Sequence, residues 1–154
     1  MRYRWNARSH DAMRHPAALL AAALALAAPA GAQSYAAQVR VQLDAAAEAL
    51  REEGFGKTHD YEIDGLDVDE EDTFSVTLEA DRAYAFVGAC DADCSDIDFW
   101  LYDEAGDLLD ADTSTDDVPI VRVTPGASGP FQIRVRMIEC AVEPCYYGIG
   151  VFGD

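Results

Sequence analysis

Residues 88–109 read GACDADCSDIDFWLYDEAGDLL, and this stretch gathers most of the side chains able to do chemistry. Asp91, Asp93, Asp96 and Asp98 follow one another closely, with Cys90 and Cys94 among them. A second acidic run, DADTSTDD, adds Asp110, Asp112, Asp116 and Asp117. Hard divalent cations take about six to eight oxygen ligands, and loops with alternating aspartates supply them. A calcium ion held jointly by the two runs at one end of a fold is therefore one expectation. Neither run is an EF-hand. The glycine that motif places sixth is Asp96 in one register and Thr115 in the other, and no glutamate stands twelfth. The competing reading, which the residue types favour, makes these aspartates turn residues that cap strand ends through their own backbone.

The cysteines are Cys90, Cys94, Cys140 and Cys145. An even number in an exported chain points to two disulfides, with three pairings available. The short spacings favour Cys90–Cys94 and Cys140–Cys145, each closing a loop worth about 2 kcal/mol of unfolded-state entropy. Cross-pairing of the two loops is the rival. A zinc site of four cysteines would need shorter knuckles and a reducing compartment.

Catalytic groups are sparse. Beyond residue 32 the one histidine is His59, and Ser34, Ser75, Ser95, Ser114 and Ser128 lie in no G-x-S-x-G elbow. Carboxylate pairs are so abundant that their presence identifies no glycosidase. The chain reads as non-catalytic, with a hydrolase as the remote alternative. Trp100 and Tyr102 offer something else. If Ile97, Phe99 and Leu101 face a core, these two aromatics face outward beside Asp98 as a ligand platform of the kind that binds sugars. In the competing reading the N-terminal helix covers them.

The elements that must position these groups are mostly strands. Ser34–Glu53 lacks glycine and proline and repeats Val39, Leu43, Ala46 and Leu50 at helical spacing, with Ser34 as N-cap and Gly54 as stop. This amphipathic helix either docks on the domain C-terminal to it or pairs with another chain. From residue 58 short alternating segments take over. Phe74, Val76 and Leu78 share one face, as do Ile97, Phe99 and Leu101, and Phe131, Ile133, Val135 and Met137. In AYAFVGAC either Tyr84 and Phe86 or Ala85 and Val87 point inward. Gly106 closes a hairpin between Leu101 and Leu108. The pattern predicts an all-β fold, an antiparallel sandwich of jelly-roll or Greek-key type preceded by one α-helix.

At the start, AALLAAALALAAPAGAQ follows Arg14 and His15, and Ala30-Gly31-Ala32 fits a cleavage site before Gln33. Residues 1–32 thus read as a signal peptide, residues 33–57 as the helix and 58–154 as the sandwich. Met13 would give a more compact start. The expected location is periplasmic or secreted, with no membrane span after cleavage. The whole chain of 154 residues carries a formal charge of −18. Cleavage removes Arg2, Arg4, Arg8, Arg14 and Asp11, which leaves 7 basic against 28 acidic side chains, a formal −21. Such a surface repels nucleic acid and anionic membranes.

Residues 58–152 resemble the bacterial pre-peptidase C-terminal domain. The resemblance is carried by Tyr84, by Asp96-Ile97-Asp98-Phe99-Trp100-Leu101, by the turn Asp103-Glu104-Ala105-Gly106, by Gly129-Pro130-Phe131 and by Tyr146-Tyr147. It implies a small secreted jelly-roll-like sandwich, an accessory module without catalysis, in a family where some similar domains bind calcium or an extracellular polymer. Residues 1–57, read as a signal peptide and one helix, are expected to hold no host enzyme, and the cysteine loops are additions to the family pattern. The expected function is an exported binding or accessory module, calcium-assisted in one version, whose partner is an extracytoplasmic protein or polymer. The alternative is an interaction protein that assembles through its helix.

Overall fold

The computed structural model describes residues 30–154, with side chains from Ser34 on. The expected signal peptide therefore falls almost wholly outside the described residues. Helix α1, Ala30–Glu52, is the one helix among them. Ser34 lies inside it rather than capping it, because the helical hydrogen bonding begins further upstream. Its C-terminus closes as the sequence predicts. Gly54 adopts φ 94°, the Phe55 amide donates to the Leu50 carbonyl at 3.0 Å, and the Gly54 amide donates to the Arg51 carbonyl at 3.1 Å. This is a Schellman cap, in which a left-handed residue lets the last carbonyls find donors. Phe55 and Leu50 then pack in one cluster and seal it.

Nine antiparallel strands form two sheets. In the first sheet β1 (Gly56–Lys57) and β2 (Glu62–Leu66) both pair with β9 (Cys145–Gly153). Beyond β9 lie β4 (Tyr84–Cys90) and then β7 (Ile120–Val123). The second sheet runs β3 (Glu71–Leu78), β8 (Gly129–Cys140), β5 (Cys94–Tyr102), β6 (Leu108–Asp112). Of the six connections from β3 to β9, only the β5–β6 hairpin stays within one sheet; the rest cross. That crossing places non-consecutive strands side by side, as a Greek-key or jelly-roll sandwich requires. Gly106 closes the hairpin at φ 85°.

Period-two alternation fills the space between the sheets. Ile97, Phe99 and Leu101 meet Ile133, Val135 and Met137 from the neighbouring strand and Phe86, Tyr147, Ile149 and Val151 from the opposite sheet. On β4 the choice between two faces resolves to both. Tyr84 and Phe86 enter the sandwich core, while Ala85, Val87 and Ala89 are buried under α1. Val39 and Leu43 are fully buried there. A Cβ on Gly148 would lie 2.6 Å from Val39 and 3.0 Å from Leu43, so the missing side chain is what lets the helix sit this close to β9. The helix thus docks on its own domain, as one of the two sequence readings held. Truncating Leu43 to Ala leaves a cavity at that contact and is expected to cost about 2–5 kcal/mol. Urea denaturation measures it, and a loss below about 0.5 kcal/mol would mean that the helix is undocked in solution.

Candidate binding surface

Both disulfides form locally, Cys90–Cys94 and Cys140–Cys145, with Cα atoms 5.9 and 5.8 Å apart. Cys90 ends β4 and Cys94 begins β5, in different sheets. Cys140 ends β8 and Cys145 begins β9, again in different sheets. The bonds are therefore neighbouring inter-sheet staples, since Cys94 is registered with Cys140 and Cys90 with Tyr147. Asp91 ties the two loops together. Its carboxylate accepts from the Tyr146 amide at 2.7 Å and the Asp93 amide at 3.0 Å, and the Ala141 amide donates to the Asp93 carbonyl at 2.7 Å. On the helix side, the Gln42 amide donates to the Cys90 carbonyl at 2.7 Å.

Two further loops arrive at this end. The 67–70 loop connects through Val68, whose amide donates to Glu143 at 2.8 Å, and through Asp69, whose amide donates to the Met137 carbonyl. The 113–119 loop connects through the Ile97 amide, which donates to the Asp116 carbonyl at 3.1 Å. Each of the four loops carries carboxylates: Asp67, Asp69 and Glu70; Asp91 and Asp93; Asp116 and Asp117; Glu143. The cation built into this end is Arg136, paired with Asp69 at 2.7 Å and Glu71 at 4.0 Å. The result is a rigid, strongly negative end of the sandwich. The contribution of the 67–70 loop was invisible in sequence, where that segment looks like an isolated solvated run; only strand register brings it here.

The eight aspartates expected to share a calcium ion are put to different uses. Among the described residues, no group of three or more His, Cys, Asp or Glu side chains is disposed to hold a metal ion. Asp91 is buried and engaged by amides. Asp110 and Asp112 stand on strand β6 rather than in a loop, and they reach across to the facing edge of the other sheet. Asp110 accepts from the Arg122 amide at 2.7 Å, and Asp112 from the Ile120 amide at 2.9 Å. They thereby satisfy outward donors of β7, which would otherwise be an open sheet edge. Burial alone would raise the Asp112 carboxyl, but the amides of Ile120 and Ser114 outweigh it and hold it below its usual range. Asp116 caps its own turn by accepting from the Val118 amide. Asp93, Asp98 and Asp117 keep partly or fully exposed side chains.

Trp100 and Tyr102 are half-buried on the outer face of the β3-β8-β5-β6 sheet. The helix lies on the other sheet, so the expectation that it covers these aromatics is overturned: the small residues Ala85, Ala89 and Gly148 of β4 and β9 admit it, and the bulky outer side chains of β5 do not. What covers Trp100 and Tyr102 in part is Arg134, whose guanidinium stands 4.5 Å from the Trp100 ring centre and 5.4 Å from that of Tyr102. His59 has both ring nitrogens engaged, by the Thr58 hydroxyl at 2.9 Å and the Thr77 carbonyl at 3.2 Å. At the far end of the sandwich, an open recess of about 520 Å³ lies between the β5–β6 turn and residues 123–131. Asp103 beside it is occupied by the Asp107 amide at 2.9 Å.

No protein-family model matches the chain, and no curated protein is similar to it in sequence. The resemblance to the pre-peptidase C-terminal domain therefore rests on its motifs alone. Among solved structures the chain is similar to PliG of Aeromonas hydrophila, described as a periplasmic lysozyme inhibitor of g-type lysozyme. The match covers 64% of this chain and 89% of that one, at 9% identity and a TM-score of 0.50. At that identity the likeness is one of fold.

One carboxylate at this end stands apart. Asp96 is 7% exposed, and its Oδ1 has no hydrogen-bond partner. Burial raises its carboxyl first, then the charges of Glu139 and Asp116, with an Asp116 amide opposing. A carboxyl with a raised pKa holds its proton more tightly when folded. Its contribution to stability is full at low pH, falls as pH rises from the unfolded value through the folded one, and is level above that. Asp96→Asn removes the loss. The variant is expected to be more stable than wild type at pH 7 by on the order of 1 kcal/mol, the scale of an unpartnered buried polar group. The two should converge near pH ~3, below the ordinary aspartate value, where the carboxyl is protonated in the folded and unfolded chain alike. Urea denaturation at both pH values checks this, and a variant less stable at pH 7 would contradict it.

Proposed function

We propose that the chain is an exported, non-catalytic binding module whose acidic, disulfide-stapled end engages a cationic extracytoplasmic protein. The observation that carries the proposal is the convergence of four carboxylate-bearing loops on one end, fixed by two inter-sheet disulfides and balanced by one arginine. Concentrated charge of one sign steers an oppositely charged partner and raises its on-rate. Rigid loops lower the entropy that binding must overcome. Disulfides persist in oxidising compartments, which supports export. No helix among the described residues is long and apolar enough to cross a membrane. The engaged ring of His59 supports a role without catalysis. The solved structure with a similar fold, described as a periplasmic inhibitor of a lysozyme, supplies a precedent for such a sandwich acting by binding a protein. Assembly through the helix is the weaker reading, because Val39, Leu43 and Leu50 are already buried on the domain itself.

The test measures binding of the exported protein to g-type lysozyme and to a panel of other cationic extracytoplasmic proteins at low and moderate salt. Affinity for at least one should fall about tenfold between 50 and 300 mM salt, as screening removes attraction between exposed charges. Neutralising Asp67, Asp69 and Glu70 together should weaken binding, whereas Asp103→Asn with Glu104→Gln at the far end should not. Salt-insensitive binding, or no binding to any cationic protein at 50 mM salt, would contradict the proposal.

A further inference from the structure

The two flanks of the sandwich differ in how their edge strands are closed. On one flank Asp110 and Asp112 of β6 accept from the amides of β7. On the other, the first sheet ends in the two-residue β1 and in β2, whose exposed Glu62 and Asp64 are the kind of charge that keeps another strand away. The second sheet ends there in β3, eight residues long, which pairs with β8 alone. Successive residues of an antiparallel strand turn their amide and carbonyl groups to opposite edges. The Thr73 amide donates to the Asp72 carboxylate at 2.7 Å, and the Thr77 carbonyl meets the His59 ring at 3.2 Å. Residues 73 and 77 therefore face away from β8, and so does Ser75 between them. Among the described residues no other strand or helix lines this edge at Ser75, whose side chain is exposed.

We propose that β3 accepts an extended segment of another protein as an added strand, paired along residues 71–77. In this mode backbone hydrogen bonds supply affinity and alternate side chains supply selectivity. On the inner side, Phe74 and Val76 are half-buried at the rim of the core, so apolar residues at alternate positions of the segment complete it. On the outer side, Thr73, Ser75 and Thr77 suit hydroxyl or β-branched neighbours. Glu71 and Glu79 bracket the strand and favour basic residues at the ends of the segment. A second copy of this chain fits worse. Antiparallel pairing centred on Ser75 sets Glu71 against Glu79 twice, and like charges directly opposite are destabilising. The two chains would also repel through their strongly acidic surfaces. The inference goes beyond the acidic end, since it concerns the flank of the sandwich and holds whether or not that end binds.

The probe is the peptide acetyl-KTVTVTK-amide, added to the isotope-labelled exported protein and followed by NMR shifts and amide hydrogen exchange. In the free protein the Ser75 amide should exchange much faster than those of Phe74 and Val76, which face β8. With peptide at about ten times its Kd, exchange at Ser75 should slow about tenfold. Ser75→Pro removes the outward amide, a change that an edge strand tolerates. It should weaken binding at least about fivefold, with circular dichroism unchanged. A peptide methylated on the backbone nitrogens of its Thr-Val core keeps every side chain and charge but cannot pair, and carries the test even if that variant does not fold. It should leave Ser75 exchange as it is in the free protein. Equal binding of the methylated peptide would overturn the proposal, because the contact would then rest on side chains and charge. Slow Ser75 exchange in the free protein would overturn it too: independent of concentration it means a covered edge, and rising with concentration it means a second copy. Shifts confined to residues 67–70 and 91–93, with Ser75 unmoved, would leave the acidic end as an attractor and remove the added strand. No response anywhere would remove it as well.

Discussion

Two covalent bonds that cross between the sheets at one end of the sandwich set the conditions for everything built there. Each joins the last residue of a strand in one sheet to the first residue of a strand in the other, β4 to β5 and β8 to β9. Because Cys94 and Cys140 are cross-strand partners, the staples sit beside each other and constrain the same corner. Asp91 exploits this: bridging both loops with one carboxylate is feasible only where they hold a fixed separation. The helix joins in through Gln42 and through Tyr35, which stacks on Tyr146 at 6.2 Å.

That rigidity explains how so much negative charge can be concentrated. Loops carrying Asp67, Asp69, Asp93, Asp116 and Glu143 would move apart if they were free, and the repulsion would oppose folding. Covalent closure and hydrogen bonds such as that from the Val68 amide to the Glu143 carboxylate hold them together instead. The protein gives up some stability here, most visibly at Asp96, and two apolar layers elsewhere offset the loss. One is the sandwich core between the sheets, and the other is the helix seated on β4 and β9. On the outer face of β5, Arg134 lies over Trp100 and Tyr102 in a cation–π contact.

Much of the fold was legible in sequence because its signals are local. Alternation on β5 and β8 named the inward residues, the helical spacing of Val39, Leu43 and Leu50 named the docking face, and Gly54 marked the cap. Which sheet receives the helix was not legible, since that depends on Ala85, Ala89 and Gly148 lying side by side across strands distant in sequence. The aspartates were legible as capping residues, the reading their types favour, but not where they cap: Asp110 and Asp112 belong to a strand whose carboxylates cap the facing edge, a use set by topology. The acidic end was half legible. Cys90, Cys94 and their aspartates drew attention to it, but the 67–70 loop joins through long-range register alone.

The disulfides hold the acidic loops in a fixed arrangement while the sheets persist on their own packing, and the proposed binding surface depends on both. Amide hydrogen exchange, compared between the oxidised protein and the protein with all four cysteines replaced by serine, tests this directly. Without the bonds, protection should drop at Ala141 and Tyr146, whose amides bridge the two loops, and stay high at Ile133 and Val135 in the centre of the second sheet. Unchanged protection at Ala141 and Tyr146 would contradict it, because the loops would then keep their arrangement without the staples.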